Sequence, residues 1–338
     1  MKKLFLFTAI ILFMAACEKE EIALDSPLGS NSTTPMDTSS GESVIQKGVL
    51  ISSSVNIGED YSKQVWFDLG TNAIVKINLR TDWDLAFDCS INHNLLYLNS
   101  ALGASVAFTN ETDFDKVTSD AGLTYTYEHH SGRKDSMAIG EVSNLRNVLI
   151  LNRGYTPSND EIGKLKIQIT SAENGEYHIT YAKLDGSNQQ TAVISKSPQY
   201  NKVAYSFTTN EVLQIEPPKT DYDLCFTQYT FIYTVPPQAY SVNGALINSY
   251  NTEVAKEFQK DFSKITKDDA QNLFYSNIAD VIGHHWKDFN LQNDVYQIYT
   301  NQNYLIKDAA GNLFKLHFLD FYDENGVKGA PSFEYVRL

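Results

Sequence analysis

Cysteine is scarce: three residues in 338. None stands at the paired spacing of a zinc or redox motif, and Cys89 and Cys225 are isolated from each other. They read as free, buried thiols, with a single bridge between them as the alternative. Cations are also in the minority, 27 Lys and Arg against 41 Asp and Glu. That balance excludes nucleic acid, which is held by clustered cations on phosphates, and docking on anionic lipid headgroups through the folded body. Long apolar runs are absent beyond Leu4–Met14, far short of the roughly 20 residues a helix needs to cross a bilayer. Enzyme signatures are missing too. There is no His-Glu-x-x-His, no Gly-x-Ser-x-Gly and no phosphate-binding glycine loop. The acidic stretches 113–115 and 320–324 lack the alternation of a calcium loop, so the sequence reads as non-enzymatic.

What is present begins at the N-terminus. Lys2 and Lys3 precede the apolar run, and Met14-Ala15-Ala16 leads into Cys17, the layout of a secretory signal. It resembles a bacterial lipobox, which implies a signal peptide over 1–16 and an acylated Cys17 holding the chain to outer-membrane lipid. Glu18-Lys19-Glu20-Glu21 is similar to the export tag of Bacteroidetes surface lipoproteins. That implies the outer face of the outer membrane, with the periplasmic face as the alternative. The rest of 17–46 is rich in Ser, Thr, Gly and Pro, buries too little apolar surface to fold, and reads as a flexible, disordered tether.

The remainder reads as mostly β. Leu165 to Ile169 alternates apolar with polar, Asn174-Gly175 turns, and Tyr177 to Tyr181 alternates back, which is a hairpin with one buried face. A second hairpin runs from Leu313 to Phe321, turns at Asn325-Gly326 and returns through Phe333 to Val336. Twenty Tyr and 18 Phe suit strand-rich packing. One helix is expected after Thr266, capped with Asp269, its apolar stripe running from Ala270 through Leu273, Phe274 and Ile278 to Val281-Ile282 before Gly283. A shorter one is expected over 253–265.

An internal repeat organises the chain. Thr81-Asp82-Trp83-Asp84-Leu85-Ala86-Phe87 returns as Thr220-Asp221-Tyr222-Asp223-Leu224-Cys225-Phe226, and Tyr61-Ser62-Lys63 returns at the same offset as Tyr200-Asn201-Lys202. The pattern predicts two tandem β-rich copies, 47–197 and 198–338, with the short helices in the second. Asp84 and Asp223 are expected to bind backbone amides at a strand start, with Trp83 and Tyr222 packing the core beside them.

These residues, with Ile282-Gly283-His284-His285-Trp286-Lys287-Asp288-Phe289 and the ending from Tyr304 to Tyr335, resemble the HmuY family of haem-binding surface lipoproteins. The resemblance is best over 198–338 and weaker over 60–90. It implies a nearly all-β fold whose projecting strands clamp haem between axial side chains, and a TonB-dependent haem transporter as partner. Two copies in one chain depart from the family's single domain. So do Asp88 and Thr227, which stand where relatives carry His-Arg.

Haem needs imidazoles or thioethers on both faces of its iron, inside apolar and aromatic walls. The resemblance implies ligands after the Trp-Asp strand and on a later one. In the first copy these positions point to His93 and to His129-His130, with Met137 as a thioether alternative and Tyr97, Tyr125 and Tyr127 as walls. The competing reading makes His93 a solvent-facing strand residue and His129-His130 a polar hairpin tip. In the second copy His284 and His285 are the weaker candidates, at a helix exit, while His178 and His317 face outward. Two functions follow. In one, the protein binds haem or a related porphyrin at the cell surface and passes it on. In the other, haem ligation is lost and an aromatic surface binds a protein, peptide or glycan.

Overall fold

The computed structural model describes residues 45–338. Cys17, the signal and most of the tether lie outside the described residues. Both predicted hairpins are present. Lys164–Glu173 pairs antiparallel with Glu176–Ala182 around Asn174-Gly175, both at positive φ, the backbone a tight primed turn requires. Leu313–Tyr322 pairs likewise with Lys328–Arg337.

The strands build two sandwiches. In the first, Leu85–Asp88 and Lys202–Ser206 lie in one five-stranded sheet. That sheet shares a core, including Phe87, Leu98, Ile167, Tyr177, Tyr181 and Tyr205, with a six-stranded sheet built around Lys164–Glu173. In the second, Lys63–Asp68 and Leu224–Thr234 lie in a four-stranded sheet. It packs on the five-stranded sheet of Leu50–Ser54 and the C-terminal strands through Phe67, Phe226, Trp286, Phe318 and Phe333. Each aromatic-Asp strand therefore pairs with the Lys strand of the other repeat, and the expected boundary between 197 and 198 lies in the connection between Gln190–Ser195 and Lys202–Ser206, strands of the two sheets of one sandwich. The inner sandwich occupies roughly 85–213, and residues before and after it together make the outer one.

The repeat is visible in the hydrogen bonds. The Asp84 amide donates to the Tyr205 carbonyl and the Asp223 amide to that of Phe67, both at 2.9 Å. The Asp84 carboxylate accepts from the Phe207 amide at 2.7 Å, and that of Asp223 from Leu69 at 2.9 Å. Asn99 donates to the carbonyls of Arg80 and Trp83, and Asn248 to those of Lys219 and Tyr222. Lys166 reaches the Phe114 and Val117 carbonyls over the Phe114 ring, as Lys315 reaches Phe262 and Ile265 over Phe262. A buried ammonium is tolerated here because its donors are matched and a ring face covers it.

The four central strands are buried on both faces. Val65 and Phe67 face the outer core while Trp66 between them faces the other way; Leu224, Phe226 and Cys225 repeat the pattern. Val203 and Tyr205 face the inner core and Ala204 the opposite side. The period of two thus sends Trp66, Cys225 and Ala204 to a third cluster between the sandwiches, with Tyr222, Ile215 and half-buried Trp83. Trp83 and Tyr222 pack there rather than inside either sandwich. Cys89 and Cys225 are both free and buried.

The expected helix is much shorter. Thr266 and Asp269 form the capping box, but the helix covers only Lys267–Gln271. The bridge between Val254 and Ser276 draws the chain off into sheet contacts, and Phe274, expected on the buried stripe, is 93% exposed. The shorter helix is replaced by the strand Glu253–Glu257, paired with Asn303–Lys307, and the 3-10 turn Phe262–Lys264. Long-range pairing overrode local propensity at both places. His317 does not face outward: it stacks on Phe262 at 4.0 Å and lies 3.4 Å from Glu334.

Candidate functional site

Where the sandwiches meet, a cleft of about 740 Å³ opens, within the range of small-molecule sites. Trp66, Trp83, Tyr97, Tyr222 and Tyr250 supply aromatic walls, and Lys202, Glu216 and Glu128 the charge. Lys202 lies 3.2 Å from Glu216 and over the Tyr97 ring. Burial opposes its positive charge, but Glu216 and Tyr97 outweigh that and hold its pKa above the ordinary lysine range. The Tyr97 and Tyr250 hydroxyls are 3.0 Å apart, and Tyr250 donates to Asp88 at 3.1 Å. Asp88 is thus part of the cleft's hydrogen-bond system. Thr227 accepts from the Gln64 amide.

Beside the cleft, imidazoles from both repeats converge, although only His129 and His130 line the cleft itself. Glu128, buried, accepts from the Leu98 and Ala138 amides at 3.0 and 3.3 Å, which pins the segment leading into His129-His130. Burial pushes its carboxyl up to about 6. The His129 and His130 rings stack at 4.1 Å, and His130 stacks on Phe231 at 4.1 Å. On the far side of Phe231 stand His284 and His285, with centroids 4.8 and 5.4 Å from it and 4.0 Å from each other. His130 Nδ1 accepts from the Ile232 amide at 3.1 Å, and its Nε2 lies 3.8 Å from Asp280. His284 Nδ1 bonds the Tyr229 hydroxyl at 3.1 Å.

Burial lowers the pKa of His130 to about 4, helped by His129 and His285, and that of His284 to about 3, helped by His285. His129 and His285 are shifted down as well, again chiefly by burial. Neutral imidazole is the form that ligates a metal; in His129 and His130 the Nδ1 lone pair is taken by the Ser131 and Ile232 amides, which puts the proton on Nε2, so ligation through either ring requires that bond to be exchanged. His93 and Met137 do not line this cleft. The His93 carbonyl accepts from Lys196 at 2.5 Å, and Met137 follows the 3-10 turn Lys134–Ser136. The structure therefore brings together the first copy's His129-His130 and the second copy's His284-His285 across Phe231, a pairing that no local pattern signals. Among the described residues no group of three or more His, Cys, Asp and Glu is placed to hold a bare metal ion.

Residues 60–335 match the HmuY protein family. The chain belongs to that family. One match spans both repeats, so family membership is a property of the whole double sandwich. Three solved structures are similar at low identity. Apo PinO from Porphyromonas gingivitis is 10% identical, covering 86% of this chain and 97% of its own, at a TM-score of 0.26. A putative HmuY-like heme-binding protein from Bacteroides vulgatus is 11% identical, covering 85% and 91%, at 0.23. The apo HmuY analog of Tannerella forsythia is 10% identical, covering 87% and 98%, at 0.25. No curated protein matches.

Proposed function

We propose that this HmuY-family chain is a non-enzymatic, surface-anchored lipoprotein that binds haem or a related porphyrin. We read it as one HmuY-like unit made of two β-rich repeats with exchanged strands, held to outer-membrane lipid through Cys17 and delivering its ligand to a TonB-dependent transporter. The carrying observation is the convergence of imidazoles from both repeats on Phe231, His130 from the first and His284 and His285 from the second, next to the aromatic cleft that His129 and His130 line. Haem supplies an iron with two open axial positions. His130 from the first repeat and His284 from the second would hold it, with His129 and His285 stacked beside them, while Trp83, Tyr97 and Tyr250 would wall the ring and exclude water.

Hemin titration of the purified protein, followed at the Soret band, tests this. A shift abolished by His130→Ala together with His284→Ala, and left intact by His93→Ala, supports the reading. A shift lost with His93→Ala or Met137→Ala would move the ligands to those residues, and no shift at all would retire haem for this member.

A further inference from the structure

A second cavity of about 680 Å³ lies on the outer sandwich; His284 and Gln228 line it, and His129 and His130 do not. Three elements frame it: the long hairpin of Leu224–Thr234 and Pro237–Ile247, the short hairpin of Lys287–Asn290 and Val295–Ile298, and the turn before Lys328. Its walls present Tyr233, Tyr240, Tyr296 and Tyr322. Tyr240 is 57% exposed and Tyr233 is also exposed, at the outer ends of strands whose inner ends are core. Their ring faces are open to a ligand.

The floor is polar and incompletely partnered. Asn243 is only 7% exposed, yet its side-chain oxygen has no hydrogen-bond partner, and the same holds for the side-chain oxygen of Gln228. A buried acceptor left unpaired is costly and asks for a donor. Beside them Lys287, 6% exposed, bonds only the Asn243 carbonyl and lies over the Trp286 and Phe321 rings. Burial lowers its pKa to about 7, and in either protonation state its Nζ keeps a hydrogen beyond the one given to the Asn243 carbonyl. Glu59, Asp288 and Asp294 add carboxylates to the lining, and Lys328 a cation.

We infer that this cavity is a binding site for a neutral glycan, walled by tyrosines that the cleft between the sandwiches does not use, although Gln228 lines both and His284 reaches this one. Unpaired acceptors and a buried lysine amine lie within one aromatic enclosure. The ligand that fits offers hydroxyl donors and acceptors together, apolar faces for the tyrosine rings, and no net charge. An oligosaccharide has all three. A cationic peptide would suit the carboxylates but meet Lys287 at the floor, and an anion would suit Lys287 but meet the three carboxylates.

The experiment is isothermal titration of the purified protein with neutral hexose oligomers (maltohexaose, cellohexaose and mannohexaose), with polylysine and hemin as counter-probes. The expected result is saturable binding of at least one oligomer, weakened about tenfold or more by Tyr240→Ala. Tyr240 is exposed, so this variant keeps its fold, and its hemin response is expected to match that of the parent. Asn243→Ala is expected to weaken the same oligomer. The inference is overturned if no oligomer binds at about ten millimolar, within the weak range of the affinity scale. It is equally overturned if binding ignores both substitutions, or if polylysine or hemin is the probe that Tyr240→Ala releases. Because hemin binding is read separately, failure here leaves the haem reading standing, and the reverse.

Discussion

Replacing Asp223 by asparagine should make the protein more stable at alkaline pH. The Asp223 carboxyl is buried at the start of its strand and accepts from the Leu69 amide at 2.9 Å. Burial pushes its pKa up to about 8, with nearby Asp68 adding to the shift and the Leu69 amide opposing it. The folded state therefore keeps a proton that the unfolded chain, near 3.8, gives up. Stability from this group is complete below about pH 4 and is lost as the pH rises through about 8. A displacement of about four units at roughly 1.36 kcal/mol each gives on the order of 5 kcal/mol. For a chain of this size that is about 10 °C in melting temperature. In Asp223→Asn the amide oxygen still accepts from Leu69 and nothing titrates. The assay is the melting temperature of parent and variant from pH 5 to 9, read as their difference so that Glu128, Asp280 and the histidines cancel. The difference should favour the variant progressively above about pH 5. Parallel curves, or a variant less stable at pH 8, would refute the reasoning. The repeat supplies a control of opposite sign. Asp84 is ion-paired with Arg153 at 2.7 Å, so Asp84→Asn strands a largely buried guanidinium and should cost about 3–5 kcal/mol at neutral pH.

Three further outcomes are expected. Lys166→Met leaves the Phe114 and Val117 carbonyls without their donor and should destabilise by about 2 kcal/mol, read as a lower urea midpoint with unchanged slope. Gly244→Ala places a Cβ 2.2 Å from the Gly283 carbonyl oxygen. It should break the Ala245–Gly283 bridge and displace His284, weakening hemin binding where an alanine at a surface position would not. His130→Ala with His284→Ala should remove the hemin Soret shift while His93→Ala retains it.

Much of the fold was legible because it is written in local periodicities. The Asn174-Gly175 and Asn325-Gly326 turns, bounded by alternating strands, specify their hairpins alone. The matched Tyr-x-Lys and aromatic-Asp segments announce two equivalent halves. The helix after Thr266 shows where this kind of reading stops: its cap was legible, and its length was not, because the partners of Val254 and Ser276 lie outside any local window. The site was harder for the same reason. His129-His130 and His284-His285 were each visible as pairs, but Phe231, the ring between them, carries no signal of its own in a β strand.

The sequence alone determined the strand-rich class, the hairpins, the twofold repeat and the residue types available for ligation, since each depends on neighbours a few positions away. Only the tertiary structure decided that the repeats exchange strands, that Trp83 and Tyr222 lie between the sandwiches, and that His130 from one repeat and His284 and His285 from the other pack on the one ring of Phe231. Those outcomes depend on which strand edges pair across more than a hundred residues. In such pairing the hydrogen-bonding pattern is the same for either partner, and the choice falls to side-chain packing on both faces at once.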